Sequence, residues 1–336
     1  MIYHLTRPAQ GGMLRVLNRV LEAYVSEGLP QELWTNRKNK DLLEKARKLG
    51  IKGRHWPLTD KLSLLDPIAF LNQTRLKDGL VFYHGFKSFI VANPGKNPAI
   101  LCLYNSLFPP HGTQSLRQMA FNLAKSRVKN LLGVIVASNS QAQDAKLIFQ
   151  NVRVIPSGVD TSLFAPSNQS KIIGFLGRLR KEKGVDLLLD AAKHFEDWKF
   201  EFAGPDLNGY SKRKVPSNVT LLGEVKNPEK VISKWSIMVL PSYTEAMPLS
   251  ILEGMSSGLC IIATDTGDIK TMLGDAGIIV PVGDGKKLVD ALKIATSDEN
   301  LRREYGLKAR HKALEYDWSN VIKMWLSLTG DWRQSL

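Results

Sequence analysis

The sequence has few of the features typical of extracellular, membrane-spanning or metal-binding proteins. Only two of its 336 residues are cysteines. Because Cys102 and Cys260 lie in apolar runs in different halves, buried free thiols are favoured over a disulfide or a metal site. No apolar run approaches the roughly 18–20 residues that span a bilayer. Residues 2–5 are strand-like and no secretory signal is predicted, so we expect a cytoplasmic location.

Acidic residues are scarce in the first half of the chain. Residues 1–166 contain 22 lysines and arginines and 10 acidic residues, which places +12 of the total net charge of +14 in this half. Such a surplus attracts nucleic acid, anionic lipid or an anionic small substrate, and a solvated basic surface has the same composition. The sign of the charge alone does not choose among these partners.

The order of apolar runs predicts an α/β fold with two domains. Short runs rich in Val, Ile and Leu alternate with helical segments, six predicted strands in each half, as in repeated strand–helix units. A turn-rich segment at 156–166 separates the halves. We therefore predict two Rossmann-like, doubly wound parallel-sheet domains that face each other across a cleft, at 1–160 and 161–315. Residues 316–336 are predicted to form a C-terminal helix, and whether it packs back on the N-terminal domain stays open.

Ligands of such sheets bind at the loops that follow the strands. The first of these loops contains Gly11 and Gly12, just before a helical segment at 13–26. Two glycines let a backbone approach a ligand, and the free amides of a helix start favour a phosphate. The pattern is not GxGxxG, and a simple turn explains the two glycines equally well.

A basic loop, GRLRKEKG at 177–184, follows the first strand of the second half. Arg178 and Lys183 stand where a strand ends and a helix begins. Fixed cations together with helix amides could hold a diphosphate whose negative charge grows as it departs. We predict a leaving-group site here, and we interpret Arg180 and Lys181 as exposed loop residues.

A third loop, within residues 241–258, contains two glutamates. Pro248 suits the first position of a helix, and Gly258 suits its C-terminal cap. Glu245 then lies in the loop and Glu253 lies more than a turn into the helix, so the two carboxylates are not expected to form the acid pair of a glycoside hydrolase.

Each glutamate of this loop could instead accept hydrogen bonds from hydroxyl groups, one set on a sugar and one on a ribose. The backbone amides near Leu249 and Ser250 are free at the predicted helix start. An isolated glutamate on a helix is usually a surface residue, but Glu253 lies between Leu252 and Met255.

These motifs together resemble the family 4 retaining glycosyltransferases of the GT-B fold. The family's two glutamates, with seven residues between them, are similar to Glu245 and Glu253 in EAMPLSILEGMSSG, and its Gly-Arg-Leu…Lys-Gly element resembles GRLRKEKG. The segment VIPSGVDTSLFAP at 154–166 is similar to the family's linker, and GGMLRVL at 11–17 to its N-terminal glycine loop. The resemblance covers both halves of the chain.

The resemblance implies an N-terminal acceptor-binding domain and a C-terminal domain that binds a nucleotide-sugar donor, such as a UDP- or GDP-sugar. It implies that Arg178 and Lys183 bind the diphosphate, that Glu253 binds the ribose, and that Glu245 with the backbone of 248–250 holds the transferred sugar. Glu245, Arg178 and Lys183 would then be the catalytic residues. The implied reaction retains the anomeric configuration, with the leaving phosphate helping to deprotonate the acceptor, and needs no cofactor or metal.

The sequence departs from the family where many members carry a histidine near the acceptor. By the family's pattern Tyr104 occupies that position, with Asn105 beside it. His84, at the end of the preceding strand, could approach the acceptor instead, although a structural histidine is the alternative. Tyr104, Asn105 and His84 are therefore the predicted acceptor residues.

The implied acceptor is a glycan or a lipid-linked sugar, as in cell-envelope polysaccharide or glycolipid synthesis. The segment at 114–132 places apolar residues on one helical face with basic residues nearby, which fits either an anionic membrane surface or a protein core. The protein would then be peripheral on the inner face of the membrane. A sugar phosphorylase or epimerase on the same fold is the alternative. Nucleic acid is not a predicted partner, because no nucleic-acid-binding motif accompanies the charge.

Overall fold

The computed structural model describes residues 1–6, 12–36, 38–55, 76–91, 96–104, 122, 131–166 and 170–334. The chain divides into two compact units. The N-terminal unit consists of residues 1–156 together with 321–336, and the C-terminal unit consists of residues 157–320.

The N-terminal unit is built on a sheet of seven parallel strands, in the order β3-β2-β1-β4-β5-β6-β7. Their bounds are Ile2–Thr6 (β1), Gln31–Thr35 (β2), Lys52–His55 (β3), Leu80–His84 (β4), Ala99–Leu103 (β5), Leu131–Val136 (β6) and Val152–Val154 (β7). The described helices are Gly12–Ser26 (α1), Lys40–Lys48 (α2), Phe86–Val91 (α3) and Asn139–Lys146 (α4). The strand order reverses between β1 and β4, which is where ligands bind in open sheets of this kind.

Alternation along the strands gives this sheet two different faces. One face carries an apolar cluster with Tyr3, Val81 and Leu101, which packs against Phe89 and α4. The opposite face carries His4 of β1 beside Phe82 of β4, which are register partners. This second face is the one that α1 covers, through a cluster of Leu17, Leu21 and Leu33.

The strand β3 was not predicted from the sequence. All four of its residues, Lys52 to His55, are exposed. It lies at the edge of the sheet and pairs only with β2 among the described strands. An exposed edge strand has no apolar face to bury, so it leaves no period-2 hydrophobic pattern in the sequence.

A long C-terminal helix, Trp318–Gln334 (α11), contributes to the N-terminal unit from Val321 onwards. The hydroxyl groups of Thr329 and Tyr24 in α1 are hydrogen-bonded at 2.5 Å. The ring of Trp325 lies 6.4 Å from that of Phe82, centroid to centroid, on the histidine-bearing face of the sheet. The end of the chain therefore helps to cover the same face as α1.

The C-terminal unit contains six parallel strands in the order β10-β9-β8-β11-β12-β13. Their bounds are Ile172–Leu176 (β8), Lys199–Ala203 (β9), Val219–Gly223 (β10), Ile237–Leu240 (β11), Cys260–Thr264 (β12) and Gly277–Val280 (β13). Its helices are Val185–Ala192 (α5), Pro228–Ile232 (α6), Leu249–Ser256 (α7), Ile269–Leu273 (α8), Gly285–Ser297 (α9) and Glu299–Glu315 (α10). The central strands β11 and β12 are buried throughout, as expected for a sheet with helices on both faces.

The predicted fold class is confirmed, because each unit is a doubly wound parallel sheet with the strand order of a Rossmann-like fold. All six strands predicted in the second half are present, with ends that differ by one residue in places.

Gly184 lets two loops of the C-terminal unit approach closely. It has φ +68°, in the left-handed region, and a Cβ at this position would overlap the backbone carbonyl of Pro241. Beside it, the amide of Tyr243 donates to the carbonyl oxygen of Glu182 at 2.9 Å. The loop after β8 and the loop after β11 are therefore held against each other by backbone contact.

We expect Gly184→Ala to lower the free energy of unfolding of the C-terminal unit by at least about 3 kcal/mol, because it combines left-handed strain with a backbone overlap. Gly209→Ala is the matched control, since Gly209 has φ +73° with no atom within 4 Å of the added Cβ. It should cost only about 1 kcal/mol. Urea unfolding followed by labelling of the buried Cys260 thiol measures the free energy of unfolding of both variants. Equal losses would show that the loop contact contributes nothing.

Candidate functional site

The basic loop of the C-terminal unit follows β8 at the carboxyl edge of its sheet. Arg178 is exposed, and its guanidinium makes no hydrogen bond or ion pair with any residue that the structure describes. The chain then forms a short 3-10 turn, Lys181–Lys183, and enters α5 through Gly184. The predicted cations thus stand between a strand end and a helix start, where an anion would be stabilised.

Lys183 and Glu245 form an ion pair that joins the loop after β8 to the loop after β11. The Lys183 Nζ lies 2.6 Å from Glu245 Oε1, and the two side chains are only 17% and 8% exposed. Ser242 Oγ donates to the same oxygen at 2.7 Å. Two donors on one oxygen fix the orientation of the carboxylate, which leaves Oε2 to accept from a further hydroxyl group.

The backbone that carries Glu245 is supported by the segment that follows β12. The Glu245 amide donates to Thr266 Oγ1 at 3.4 Å, and the Asp268 amide donates to the carbonyl oxygen of Ala246 at 2.9 Å. Gly267, with φ +59°, lies so close to this backbone that a Cβ would meet two carbonyl oxygens. Loops from three neighbouring strands therefore hold Glu245 in place.

Glu253 lies inside α7 and is almost fully buried, at 3% exposure. A carboxylate at this depth needs polar partners, since burial without them is costly. The prediction for the start of α7 was wrong by one position, because Pro248 is the N-cap and Leu249 is the first helical residue. The C-cap is Ser257, and Gly258 follows it with φ +69°.

The predicted glycine loop of the N-terminal unit is described only in part. Gly12 is the first residue of α1 and is exposed, whereas Gly11 lies outside the described residues. Asn105 and most of the segment 114–132 also lie outside them. The predictions for these residues remain untested.

His84 and Tyr104 belong to a chain of hydrogen-bonded side chains at the second face of the N-terminal sheet. The Tyr104 hydroxyl is 2.7 Å from His84 Nδ1, and His84 Nε2 is 3.0 Å from His4 Nδ1. His4 Nε2 is 3.1 Å from Gln31 Oε1. Gln31 Nε2 donates to the carbonyl oxygen of Leu21 at 3.2 Å. His84 is 1% exposed, and Tyr104 is partly exposed as a residue.

Burial keeps both histidines neutral. It lowers the pKa of His4 to about 3, against a smaller opposing effect of the hydrogen bond from His4 to Gln31. It also lowers the pKa of His84 well below its usual value, and the neighbouring His4 adds to this effect. Burial raises the pKa of the Tyr104 hydroxyl, so this group stays protonated at neutral pH.

Three members of these sites were missed in the sequence. His4 stands in a predicted strand and Gln31 directly precedes one, but neither was considered as a partner of His84, although all three share one face of the sheet. Ser242 was not predicted as a site residue. Its spacing of three residues from Glu245 was the signal for a hydroxyl group that could reach the carboxylate in a tight loop.

Within the described ranges, no three His, Cys, Asp or Glu side chains come together as a metal site would require. Among the same residues, no helix combines the length and the apolar composition that crossing a membrane demands.

The C-terminal unit matches a known protein family over most of its length. The model of the glycosyl transferases group 1 family aligns with residues 170–298, which include all six strands and the helices α5 to α9. Residues 170–298, called the group 1 domain below, are similar to this family. The predicted resemblance is thereby confirmed, and the ion pair of Lys183 and Glu245 and the buried Glu253 lie within the group 1 domain.

Curated relatives of the group 1 domain are distant. GalNAc-alpha-(1->4)-GalNAc-alpha-(1->3)-diNAcBac-PP-undecaprenol alpha-1,4-N-acetyl-D-galactosaminyltransferase of Campylobacter jejuni is 27% identical over 175 residues, which are 48% of this chain and 49% of the relative. D-inositol 3-phosphate glycosyltransferase of Corynebacterium urealyticum is 24% identical, with 60% of this chain and 57% of the relative covered. The chain thus spans about half the length of these relatives.

Solved structures match both units. Sucrose-phosphate synthase of Thermosynechococcus elongatus superposes with a TM-score of 0.82 at 16% identity, with 100% of this chain and 99% of that chain covered. HepE of Anabaena in complex with UDP-glucose gives 0.81 at 18% identity, with 98% and 99% covered. At these identities the likeness establishes the fold alone.

The Lys183–Glu245 pair should behave as a partly buried ion pair. We expect Lys183→Met or Glu245→Gln alone to lower the free energy of unfolding of the group 1 domain by about 2 kcal/mol, since each leaves a charge without its partner. The double variant should lose less than the sum of the two. Urea unfolding with Cys260 labelling measures the free energy of unfolding of the wild type, the two single variants and the double variant. Lys193→Met is the control, because its pair with Asp190 is exposed and should leave stability unchanged. Additive losses would contradict the coupling.

The two buried histidines should make the N-terminal unit sensitive to acid. In the unfolded chain each binds a proton below a pH of about 6.5, whereas in the folded unit neither does until much lower pH. The unfolded state then holds more protons, so the free energy of unfolding falls as pH drops below about 6.5. The slope is about 1.4 kcal/mol per pH unit for each histidine.

Cys102, a buried thiol of the N-terminal unit, reports this loss through urea unfolding with disulfide-exchange labelling between pH 7 and 5. His4→Gln removes one titrating group, so it should reduce the slope of the free energy of unfolding against pH by about half. Cys260 labelling reports the C-terminal unit, and its pH dependence should be the same in this variant as in the wild type. A slope unchanged by His4→Gln would contradict the assignment.

Proposed function

We propose that this protein is a retaining glycosyltransferase that moves a sugar from a nucleotide-sugar donor to a glycan or lipid-linked acceptor. The observation that carries the proposal is the arrangement at the carboxyl edge of the group 1 domain. There the carboxylate of Glu245 is oriented by Lys183 and Ser242, the guanidinium of Arg178 is exposed, and Glu253 is buried in the adjacent helix.

In this proposal Arg178 and Lys183 bind the diphosphate of the donor. A lysine ammonium has three donors, so Lys183 can hold Glu245 with one of them and a phosphate oxygen with another. The amides of Leu249 and Ser250 at the start of α7 have no partner within the helix and add to the attraction for negative charge. These groups stabilise the charge that develops as the nucleoside diphosphate leaves.

Glu253 would accept from the ribose hydroxyls of the donor, and Glu245 would accept from the transferred sugar through Oε2. Since Glu245 Oε1 already accepts two hydrogen bonds, the geometry favours a sugar-positioning carboxylate over a nucleophile. The leaving phosphate would then deprotonate the acceptor on the same face of the sugar, which retains the configuration. Two cations already face the diphosphate position, so the proposed reaction uses no metal or other cofactor.

The acceptor is proposed to be an anionic or lipid-linked glycan of the cell envelope. The excess positive charge of residues 1–166 attracts such a substrate. The relative from Campylobacter jejuni is named for an undecaprenol-linked acceptor. A cytoplasmic protein that associates peripherally with the inner face of the membrane would meet an acceptor of this kind.

The test is a thermal-shift screen with UDP, GDP, ADP and their common sugar conjugates. A nucleotide at one hundred times its Kd stabilises the folded state by about 2.7 kcal/mol, which raises the Tm by several degrees. We expect one nucleotide series to do so, and we expect Arg178→Ala and Glu253→Ala to abolish the shift, each measured from the variant's own Tm.

Matched controls come from an exposed pair on α10. Arg303→Ala and Glu299→Ala remove the same side-chain types from a surface ion pair outside the site, so both variants should keep the full shift. Stabilisation by none of the nucleotides, or a shift that survives in both site variants, would refute the donor site.

A further inference from the structure

The basic loop pairs its backbone with the loop after β9, residues 204–214. The Leu179 amide donates to the carbonyl oxygen of Pro205 at 2.9 Å, and the Leu179 carbonyl oxygen accepts from the Leu207 amide at 3.2 Å. These two hydrogen bonds form a parallel bridge between Leu179 and Asp206. The Leu179 side chain is fully buried. The arginine that precedes Leu179 is therefore fixed at its backbone, although its side chain is exposed.

Asp206 turns its carboxylate back into the loop after β9. Its Oδ1 accepts from the amides of Asn208 and Tyr210 at 3.2 and 3.0 Å, and its Oδ2 accepts from the amide and the hydroxyl group of Ser211, both at 2.8 Å. The hydrogen bond from the Ser211 amide and those from the other donors lower the pKa of Asp206, so this carboxylate is charged at neutral pH. Four donors to one charged group hold the loop in a single conformation.

The loop after β9 contacts the basic loop again further along the chain. The Lys181 amide donates to Asn208 Oδ1 at 3.1 Å. Beyond the basic loop, in the first turn of α5, Asp186 Oδ2 accepts from the Tyr210 hydroxyl at 2.9 Å. The Tyr210 side chain is fully buried. The loop after β9 therefore supports the basic loop both before and after its 3-10 turn.

We propose that Asp206 is a positioning residue for the diphosphate site. Its carboxylate fixes the loop after β9, and that loop holds the backbone of residues 179–181, so that the Arg178 guanidinium extends from a fixed point toward the departing phosphate. The proposal rests on the proposed transferase function. Asp206 acts through the backbone, because its two oxygens already accept from the loop and a carboxylate repels a phosphate. Cations that are held in place before the reaction stabilise a leaving group best.

The first test needs no nucleotide. In the full-length, 15N-labelled chain, NMR measures hydrogen exchange of the Leu179 and Lys181 amides at pH 7. Asp206→Ala should speed the exchange of both amides at least about tenfold, because the loop that holds them opens more often. Asp298→Ala is the matched control, since Asp298 Oδ1 caps α10 by accepting from the Leu301 amide at 2.9 Å. Of these three amides it should affect only Leu301. Unchanged exchange of Leu179 and Lys181 in Asp206→Ala would overturn the proposal.

The second test compares nucleoside diphosphates with monophosphates by isothermal titration calorimetry, using the pairs UDP and UMP, GDP and GMP, and ADP and AMP. The amides at the start of α7 can hold one phosphate without the cations. The ratio of the monophosphate Kd to the diphosphate Kd therefore reports the cations that hold the second phosphate.

Asp206→Ala should lower this ratio about tenfold, because a displaced guanidinium loses most of one charge-assisted hydrogen bond, and it should change the monophosphate Kd by no more than about twofold. Asp206→Asn keeps an oxygen for two of the four donors, so it should lower the ratio only about threefold. Asp298→Ala should lower the Tm and leave the ratio unchanged.

An unchanged ratio in Asp206→Ala would overturn the proposal even if both affinities fall, because a purely structural residue affects both nucleotides equally. If none of the three nucleoside diphosphates binds to the wild type, the transferase function fails and the role of Asp206 toward a diphosphate fails with it. The exchange rates are independent of that outcome, and they separately decide whether Asp206 holds residues 179–181.

Discussion

In both sheets the described strands pair in parallel with their neighbours. This one constraint brings the functional groups of each unit to the same edge of its sheet. Parallel strands need a crossover for each connection, so the loops that follow the strands all emerge at the same edge. Lys183, Glu245 and the segment after β12 come from the loops of three neighbouring strands of the C-terminal unit and meet for this reason. In the N-terminal unit His84 and Tyr104 follow the same rule.

The two units then use different physical means to fix a polar group. In the C-terminal unit an ion pair and a serine hydroxyl orient Glu245, and the partly exposed ammonium of Lys183 retains donors for another anion. In the N-terminal unit the polar groups are deeply buried and uncharged, because a charge there would lose its hydration. Hydrogen bonds between neutral side chains take the place of charge there, and they connect Gln31, His4, His84 and Tyr104.

Prediction from the sequence succeeded where a local pattern had a physical cause. Buried parallel strands gave continuous apolar runs, so all six strands of the C-terminal unit could be found. The motifs also singled out Arg178, Lys183, Glu245 and Glu253, whose binding roles stay predictions. It failed for β3, whose exposed residues leave no hydrophobic pattern. Pro248 was predicted to be the first residue of the helix that carries Glu253, but it is the N-cap, one position earlier. A proline φ near −65° suits both positions.

By itself the sequence determined the two-unit α/β architecture and the resemblance of residues 170–298 to the group 1 family, since each depends on residue types at short spacing. It also singled out the residues that are proposed to bind a nucleotide sugar. Only the tertiary structure decided which side chains meet. Lys183 and Glu245 are 62 residues apart, and His4 and His84 are 80 apart. Alternation along a strand shows which residues share a face, but the partner across the sheet depends on strand order and register, which are set by the packing of the whole unit.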